Sequence, residues 1–598
     1  MVAGICPAEA TFYALPGRLG ERLLVSGLLP GGLAWAEAGL DRRWLFDRRP
    51  VVVEPCVRMA SWTLAGAGLE CLPGCCKSIG RGAFRGGPDS LWLFRLDATL
   101  FFYMESPADA LASVSLPFVL VGLAVLFAYG IAIYGWFRWL LVPRAPSSPE
   151  PRRWLSSVVL VLLGGLMFIA IRGGVTTSTA NVGMVYYSQD QFLNHSAINP
   201  CFSLFSSLSK QQDFASQFDF FPEDKRQELA SELTRPFEAA SGDTIPRLLR
   251  TNRPNILLIL LESFSANAIE VLGGTPGVTP CLNCLSEEGI LFTNMYANSF
   301  RTDRGLVSVL NGYLAQPTTS IMKYPAKSQS LPSLAKSLGE VGYTADMLYG
   351  GDINFTNMRS FFFSSGYTRI TCDQDFPLSS RLSKWGANDD VTFRHLLEDL
   401  SARPVDGAPW LTTFLTLSSH EPFEVPYHRL SDPYLNSVAF TDSCLGAFID
   451  GLKELPVWKN TLVILVSDHG FCYPENLTNY EPRRYHIPML WLGGAVAAPR
   501  KVETFACQTD LAATLLGQLG LPVDRFTFSK NIFSPSEPHF AFYTYNNGFG
   551  IIDTTGYSAF DNEAGRVLST KASPAGEALR VDKGKALLQT LYDDLGSR

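Results

Sequence analysis

Five short apolar runs punctuate the second half of the chain: NILLILL (255–261), GYTADMLYG (342–350), WLTTFLTLSS (410–419), TLVILVSD (461–468) and IPMLWLG (487–493). Most are near-continuous rather than alternating, the pattern of strands buried on both faces. Between them lie longer mixed segments with helical character, such as SLPSLAKSLGEVG (330–342) and NDDVTFRHLLEDLSA (388–402). Strand–helix alternation of this kind predicts an α/β domain, a mostly parallel sheet between helices. The segment HFAFYTYNNGFGIIDTTGYSAF (539–560) instead alternates and turns at Asn546-Asn547-Gly548, so antiparallel strands are expected at the C-terminal end.

The pattern changes before residue 250. Val114 to Tyr134 carries no charge and has the length of a bilayer span, and a second uncharged run goes from Leu155 to Ile171. The loop between them holds Arg138, Arg144, Arg152 and Arg153 against Glu150 alone, with Trp136, Trp139 and Trp154 at its edges. The positive-inside rule makes that loop cytoplasmic and the chain after Arg172 extracytoplasmic. The expected organisation is an N-terminal region without readable period (1–106), two transmembrane helices (within 107–172, at about 114–134 and 155–171), a juxtamembrane connector (173–250) and an extracytoplasmic catalytic domain (251–598). The expected location is the inner cell membrane, multi-pass.

Composition adds three constraints. The chain has 598 residues, more than one ordinary domain, and is 47% hydrophobic, in keeping with a membrane portion. A net charge of −7 gives no basic surface for nucleic acid. Its 12 cysteines sit at no regular spacing, so no disulfide framework is legible.

The chemistry lies where the strands stop. They end at Glu262, at Gly350-Gly351-Asp352, at Ser418-Ser419-His420 and at Asp468-His469-Gly470. Parallel strands place these ends on one sheet edge, where open α/β sheets bind ligands. Two carboxylates and an imidazole, from Glu262, Asp468 and His469, suit a divalent cation such as Zn²⁺ or Mn²⁺, with Mg²⁺ a third candidate. A nucleophile is expected at Thr302 in ANSFRTDRGLVSVLNGY (297–313), where a helix opening at Asp303 and closing at Gly312 favours an anion. The competing reading is a plain N-cap threonine. Arg301 and Arg304 flank Thr302, and guanidinium groups pair well with phosphate.

These residues resemble the alkaline phosphatase and sulfatase superfamily: Glu262 after a first strand, then Thr302, then Ser467-Asp468-His469-Gly470. The two apolar spans, LSSHEPF (417–423) and NMRSFFFSSGY (357–367) look like the lipoteichoic acid synthase family, and RGGVTTSTANVGMVYYSQDQFLNHSAINP (172–200) like the connector of its Bacteroidetes-type members. The resemblance covers roughly residues 92–598. It implies Glu262, Thr302, Asp468 and His469 as the metal set, Thr302 as the phosphoglycerylated nucleophile, and His420 as a contact to the substrate phosphate or glycerol. Asp352, Arg304 and His486 are further expected substrate contacts. The Phe-Trp-Asn-Arg segment of Gram-positive synthases is here Phe355-Thr356-Asn357-Met358, with Arg359 one place later as a substitute. The implied partners are a membrane phospholipid donor and a glycan or lipid acceptor. Three alternatives stay open: a phosphoethanolamine transferase, a phosphodiesterase or sulfatase-like hydrolase, and a non-catalytic receptor. A sulfatase is disfavoured by chemistry, since threonine cannot be oxidised to the aldehyde that sulfatases use.

Overall fold

The computed structural model describes residues 116–141 and, apart from short breaks at 176–177, 190–192, 195–196, 209–212, 235–244, 382–384 and 476, residues 153–598. The expected N-terminal region (1–106) lies outside the described residues. A helix, α1, spans Leu116–Leu141 and belongs to a unit of its own. The second unit includes α2 (Arg153–Arg172), the connector and the globular domain. Within α2, the stretch Trp154–Arg172 is long and apolar enough to cross a membrane, and none of it is buried by protein.

The globular domain is built on a nine-stranded sheet: β1 (Asn255–Leu261), β2 (Ile290–Tyr296), β3 (Thr344–Tyr349), β4 (Arg369–Thr371), β5 (Trp410–Leu415), β6 (Thr461–Ser467), β7 (His486–Leu492), β8 (Arg500–Val502) and β9 (Ala506–Cys507). Its order is β4-β3-β5-β1-β6-β7-β2-β8, with β9 also on β2. Strands β4, β3, β5, β1 and β6 are mutually parallel. The run 487–493, read as one of the parallel set, is antiparallel: β7 opposes both β6 and β2. Apolar continuity reports burial, not direction, so the reversal left no mark in the pattern.

Strand β1 shows why the run must be apolar throughout. Ile256, Leu258 and Leu260 enter one hydrophobic core and Leu257, Ile259 and Leu261 the other. Successive side chains of a strand point to opposite faces, so a central strand between two helical layers has no solvent face. Helices α3 (Thr302–Asn311) and α5 (Asp510–Leu519) pack together on the first core, while the long helix α4 (Pro433–Lys453) fills the second. Predicted antiparallel strands are present as β10 (Ala541–Tyr545), β11 (Gly548–Asp553), β12 (Gly556–Asp561) and β13 (Arg566–Lys571). The β10–β11 turn puts Asn547 in the left-handed region (φ 58°), which asparagine tolerates. The C-terminal helix α6 (Pro574–Ser597) covers that second sheet.

The connector is packed on the domain rather than free. Ser178 donates a short hydrogen bond to the Asp352 carboxylate, and Asn181 Nδ2 donates to the Asn354 carbonyl at 2.8 Å. Tyr186 is buried beside Val182 and Ile198.

Candidate active site

Register brings the two carboxylates together. Leu261 of β1 pairs with Ser467 of β6, so the next residues, Glu262 and Asp468, leave adjacent parallel strands side by side. Both are buried, at 1% and 0% exposure. Ser263 takes a left-handed conformation (φ 57°), uncommon for a residue with a side chain. That turn lets the Ser263 N–H donate to Asp468 Oδ1 at 2.9 Å while its hydroxyl donates to Glu262 Oε1 at 2.8 Å. Just after β5, Thr416 Oγ1 accepts the Glu262 N–H at 2.8 Å and the Ser419 hydroxyl donates to the Glu262 carbonyl at 2.6 Å.

His469 and Thr302 close the group. The Nδ1–H of His469 donates to the Gly470 carbonyl at 3.0 Å, which leaves Nε2 as the free lone pair. Nε2 lies 3.6 Å from Glu262 Oε1, 3.6 Å from Asp468 Oδ2 and 3.4 Å from Thr302 Oγ1. Thr302 Oγ1 donates to Glu262 Oε2 at 3.3 Å. Thr302 is the first residue of α3, and the N-cap position is held by Arg301, in extended conformation and without a side-chain capping bond. The plain N-cap reading is therefore not what the helix shows. Helix N-termini present free N–H groups and the positive end of the dipole, so an anion is favoured there.

The donors fit a divalent cation. One ligand atom from each of Glu262, Asp468 and His469 lies within 4.8 Å of the others. Asp468 Oδ2 is buried and has no hydrogen-bond partner, a costly arrangement that a cation would relieve. Burial, then the Asp468 charge, push the Glu262 carboxyl up to about 8, with His469 opposing. Two buried carboxylates in contact need a compensating positive charge.

Supporting contacts escaped the sequence reading. Gln508, fully buried, donates from Nε2 to the carbonyls of Ser467 and Asp468 at 2.6 and 2.7 Å, and its Oε1 accepts the Asn298 N–H at 2.9 Å. It thereby ties the end of β6 to the segment that leads to Thr302. Gly305, in the first turn of α3, lies so close to β6 that a Cβ there would sit 1.9 Å from the Asp468 carbonyl oxygen. Such contacts span 40 to 210 residues and leave no local pattern; the glycine in Thr302-Asp303-Arg304-Gly305 was the one visible signal.

None of the expected substrate contacts hydrogen-bonds to Glu262, Thr302, Asp468 or His469 among the described residues. Arg304 is buried and its Nη1 donates to Ser299 Oγ at 3.3 Å. His420 packs against Trp385, with ring centroids 4.5 Å apart and the planes tilted by 55°, and its Nδ1–H donates to the Glu421 carbonyl at 2.7 Å. Asp352 accepts the Asn354 N–H at 2.9 Å, and Arg359 Nε donates to Asn354 Oδ1 at 2.9 Å, so one loop holds both. Tyr349 connects that loop to the metal group: its buried hydroxyl feels Glu262, Asp468, Asp352 and Asp373, after burial the main causes that push it well above its ordinary range. His486 is not brought to the group. Its Nε2–H donates to the Thr293 carbonyl at 2.7 Å and its ring stacks on Tyr296, both within the β2–β7 pairing.

A buried carboxylate pair at adjacent strand ends, an imidazole and a helix-terminal threonine thus form a candidate divalent-cation site on an alkaline phosphatase-like fold. Residues 254–521 match the family described as Sulfatase. Lipoteichoic acid synthase 2 of Bacillus subtilis (strain 168) is 23% identical over 364 residues, 55% of this chain and 54% of that protein. Phosphoglycerol transferase I of Xanthomonas euvesicatoria pv. vesicatoria (strain 85-10) is 24% identical over 321 residues, 49% of this chain and 45% of that protein. The chain thus spans about half the length of the curated relatives it matches. Among solved structures, a protein in the alkaline phosphatase superfamily from Vibrio parahaemolyticus matches with TM-score 0.55 and 25% identity, over 64% of this chain and 98% of that one. The lipoteichoic acid synthase LtaP from Listeria monocytogenes matches with TM-score 0.51 and 18% identity, over 62% and 98%, a likeness of fold.

Proposed function

We propose that the chain is a membrane-anchored transferase that moves a phosphoglycerol-type headgroup from a phospholipid to an extracytoplasmic glycan or lipid acceptor. The observation that carries this reading is the Thr302 hydroxyl, 3.3 Å from Glu262 and 3.4 Å from His469 at the start of a buried helix. The names of the relatives supply the headgroup class.

Glu262, Thr302, Asp468 and His469 would hold one divalent cation, Mn²⁺ or Zn²⁺ by their donor types. When bound, the cation supplies charge compensation and lowers the pKa of the Thr302 hydroxyl. In the first half-reaction the Thr302 oxygen attacks phosphorus, the new O–P bond forms, and the P–O bond to diacylglycerol breaks. Glu262 Oε2 is the acceptor within reach of the hydroxyl proton, His469 Nε2 being committed to the cation, and the departing diacylglycerol oxygen takes up that proton, directly or through water. In the second half an acceptor hydroxyl attacks the phospho-Thr302 and frees the threonine, a ping-pong sequence. Arg304 at the helix start and His420, Asp352 and Arg359 on neighbouring loops are the proposed substrate contacts; His486, engaged by Thr293, is left out. The apolar helix Trp154–Arg172 and α1, apolar but for Arg138, would place the domain at the outer face of the membrane, beside its lipid donor.

The same centre would serve a phosphoethanolamine transferase or a phosphodiesterase, and Thr356 in place of the tryptophan of the Gram-positive synthases keeps these readings in play. Incubation of the full chain with phosphatidylglycerol or phosphatidylethanolamine labelled in the headgroup, plus Mn²⁺ or Zn²⁺, separates them. Diacylglycerol release from phosphatidylglycerol, with label passed to an acceptor, is the expected result. Release only from phosphatidylethanolamine changes the headgroup, label passed only to water makes the protein a hydrolase, and no turnover of either lipid sinks the reading.

A further inference from the structure

The apolar side chains that the protein leaves uncovered are unevenly placed. Outside α1 and α2, ten large hydrophobic side chains are exposed among the described residues. Four of them, Val271, Leu378, Val405 and Leu579, are scattered singly over the globular domain, which is ordinary for a folded surface. The other six, Val175, Val185, Tyr187, Leu193, Phe205 and Leu208, fall within 34 residues of the connector. That stretch is also nearly uncharged. Residues 173–208 hold Asp190 as their single Asp, Glu, Lys or Arg, where the chain's 18% over those 36 residues would give about six. Most of its polar residues are Ser, Thr, Asn and Gln.

The connector has two sides, and the inner one is accounted for. Val182, Tyr186 and Ile198 are buried in one cluster with Phe202 and with Phe363 of the domain helix Met358–Ser364. Gly183 presses on that helix so closely that a Cβ would sit 2.6 Å from Ser360 Oγ. Tyr186 is in extended backbone, so its neighbours Val185 and Tyr187 point to the opposite side. On the helix Pro200–Leu208, Phe205 and Leu208 are three apart and share one face, while Ser203 is buried.

Where the segment starts decides what covers its outer side. It leaves the apolar span Trp154–Arg172 directly and folds back on its end: the Ala180 N–H donates to the Arg172 carbonyl at 2.7 Å. A Cβ on Gly173 would sit 2.9 Å from Ala180 Cβ, so little else fits between. A segment bonded to the end of a membrane span begins at headgroup level. Apolar and aromatic side chains on an outer face with almost no charge suit the boundary between headgroups and acyl chains. We propose that the outer face of the connector, with Val185, Tyr187, Phe205 and Leu208, is seated in the outer-leaflet interface of the bilayer. The inference rests on the reading of Trp154–Arg172 as a membrane span and needs nothing from the reaction. Because the connector is bonded to the loop after β3, Ser178 to Asp352 and Asn181 to Asn354, this seat brings that loop to the lipid surface.

The test asks what each side chain touches. p-Benzoylphenylalanine is placed singly at Tyr187, Phe205, Leu162 of α2 or Val405, all exposed positions, in the full chain. Each protein is reconstituted in phosphatidylcholine–phosphatidylglycerol vesicles, irradiated and mapped by mass spectrometry. Lipid adducts should form at Tyr187, Phe205 and Leu162, each at least about 10-fold above Val405, a preference on the scale of burying one apolar side chain. Cross-linked dimers at Tyr187 and Phe205 in place of lipid adducts would give the face to a second copy and overturn the inference. Adducts at Leu162 with none at Tyr187 and Phe205 would also overturn it and keep the anchor; no lipid adduct at any position would retire both. Adducts at Tyr187 and Phe205 in a protein that turns over no phospholipid would uphold the seat and retire the proposed reaction.

Discussion

Thr302 and Glu262 carry the sharpest consequences of the site. Thr302→Ala removes the attacking oxygen and leaves the rest of the helix in place, so transfer should fall by a factor on the order of 10³ or more in initial-rate assays. The fold should survive, since the hydroxyl makes only two bonds, at 3.3 and 3.4 Å. Glu262 gives a pH dependence whose sign follows from linkage. Its carboxyl is raised from 4.5 to about 8 by burial and by Asp468. Between those values the metal-free folded protein keeps a proton that the unfolded chain has released. The unfolded state binds fewer protons, so stability is greatest at the acid end of that window and is lost as pH rises towards 8. Melting temperatures of chelator-treated protein should therefore drop across pH 5 to 8, apart from other titrating groups. Saturating Mn²⁺ should flatten that drop, because the cation replaces the proton, and calorimetry in buffers of different ionisation heat should find proton release on binding. A Mn²⁺-insensitive profile would contradict the assignment of Glu262 as a ligand.

At the level of elements, the site depends on how closely α3 sits against the end of β6. Gly305→Ala would drive a methyl group into the Asp468 carbonyl, and the helix must shift. The expected cost is about 1–3 kcal/mol of stability, with weaker metal binding because Thr302 moves with the helix. Gln508→Leu strips three buried hydrogen bonds between β6 and the Asn298 segment, and about 1–3 kcal/mol should be lost in denaturant titrations. These two elements also mark the limit of what the chain discloses. The strand ends at Glu262 and Asp468-His469 were legible because an apolar run that stops on a carboxylate contradicts its own pattern. Thr302 was legible as a hydroxyl before a helical stretch closed by Gly312. The direction of β7 was not legible, because a strand buried on both faces reads alike in either sense. The helix Pro433–Lys453 also went unread: thirteen of its residues are buried, so it has no narrow apolar stripe to announce it. Gln508 and Ser263 act through hydrogen bonds to residues 40 to 210 positions away, which no local window contains.

For the whole molecule, the account requires that the domain stay at the membrane that supplies its donor. Exposed Leu162 and Leu166 lie within the apolar span Trp154–Arg172. Leu162→Arg with Leu166→Arg should cost about 3 kcal/mol each on insertion and shift the protein out of the carbonate-resistant membrane fraction. Turnover of a soluble diester should persist while turnover of vesicle phospholipid falls. The connector that follows this helix is bonded to the loop after β3, Ser178 to Asp352 and Asn181 to Asn354. The central claim is a covalent bond to one oxygen atom. Mn²⁺-loaded full chain, incubated with headgroup-labelled phosphatidylglycerol without acceptor, is quenched in acid, digested and mapped by mass spectrometry. The account predicts a phosphoglycerol adduct on Thr302, absent in Thr302→Ala and discharged when acceptor is added. Diacylglycerol release with no adduct on Thr302, or with the label on another residue, would contradict it.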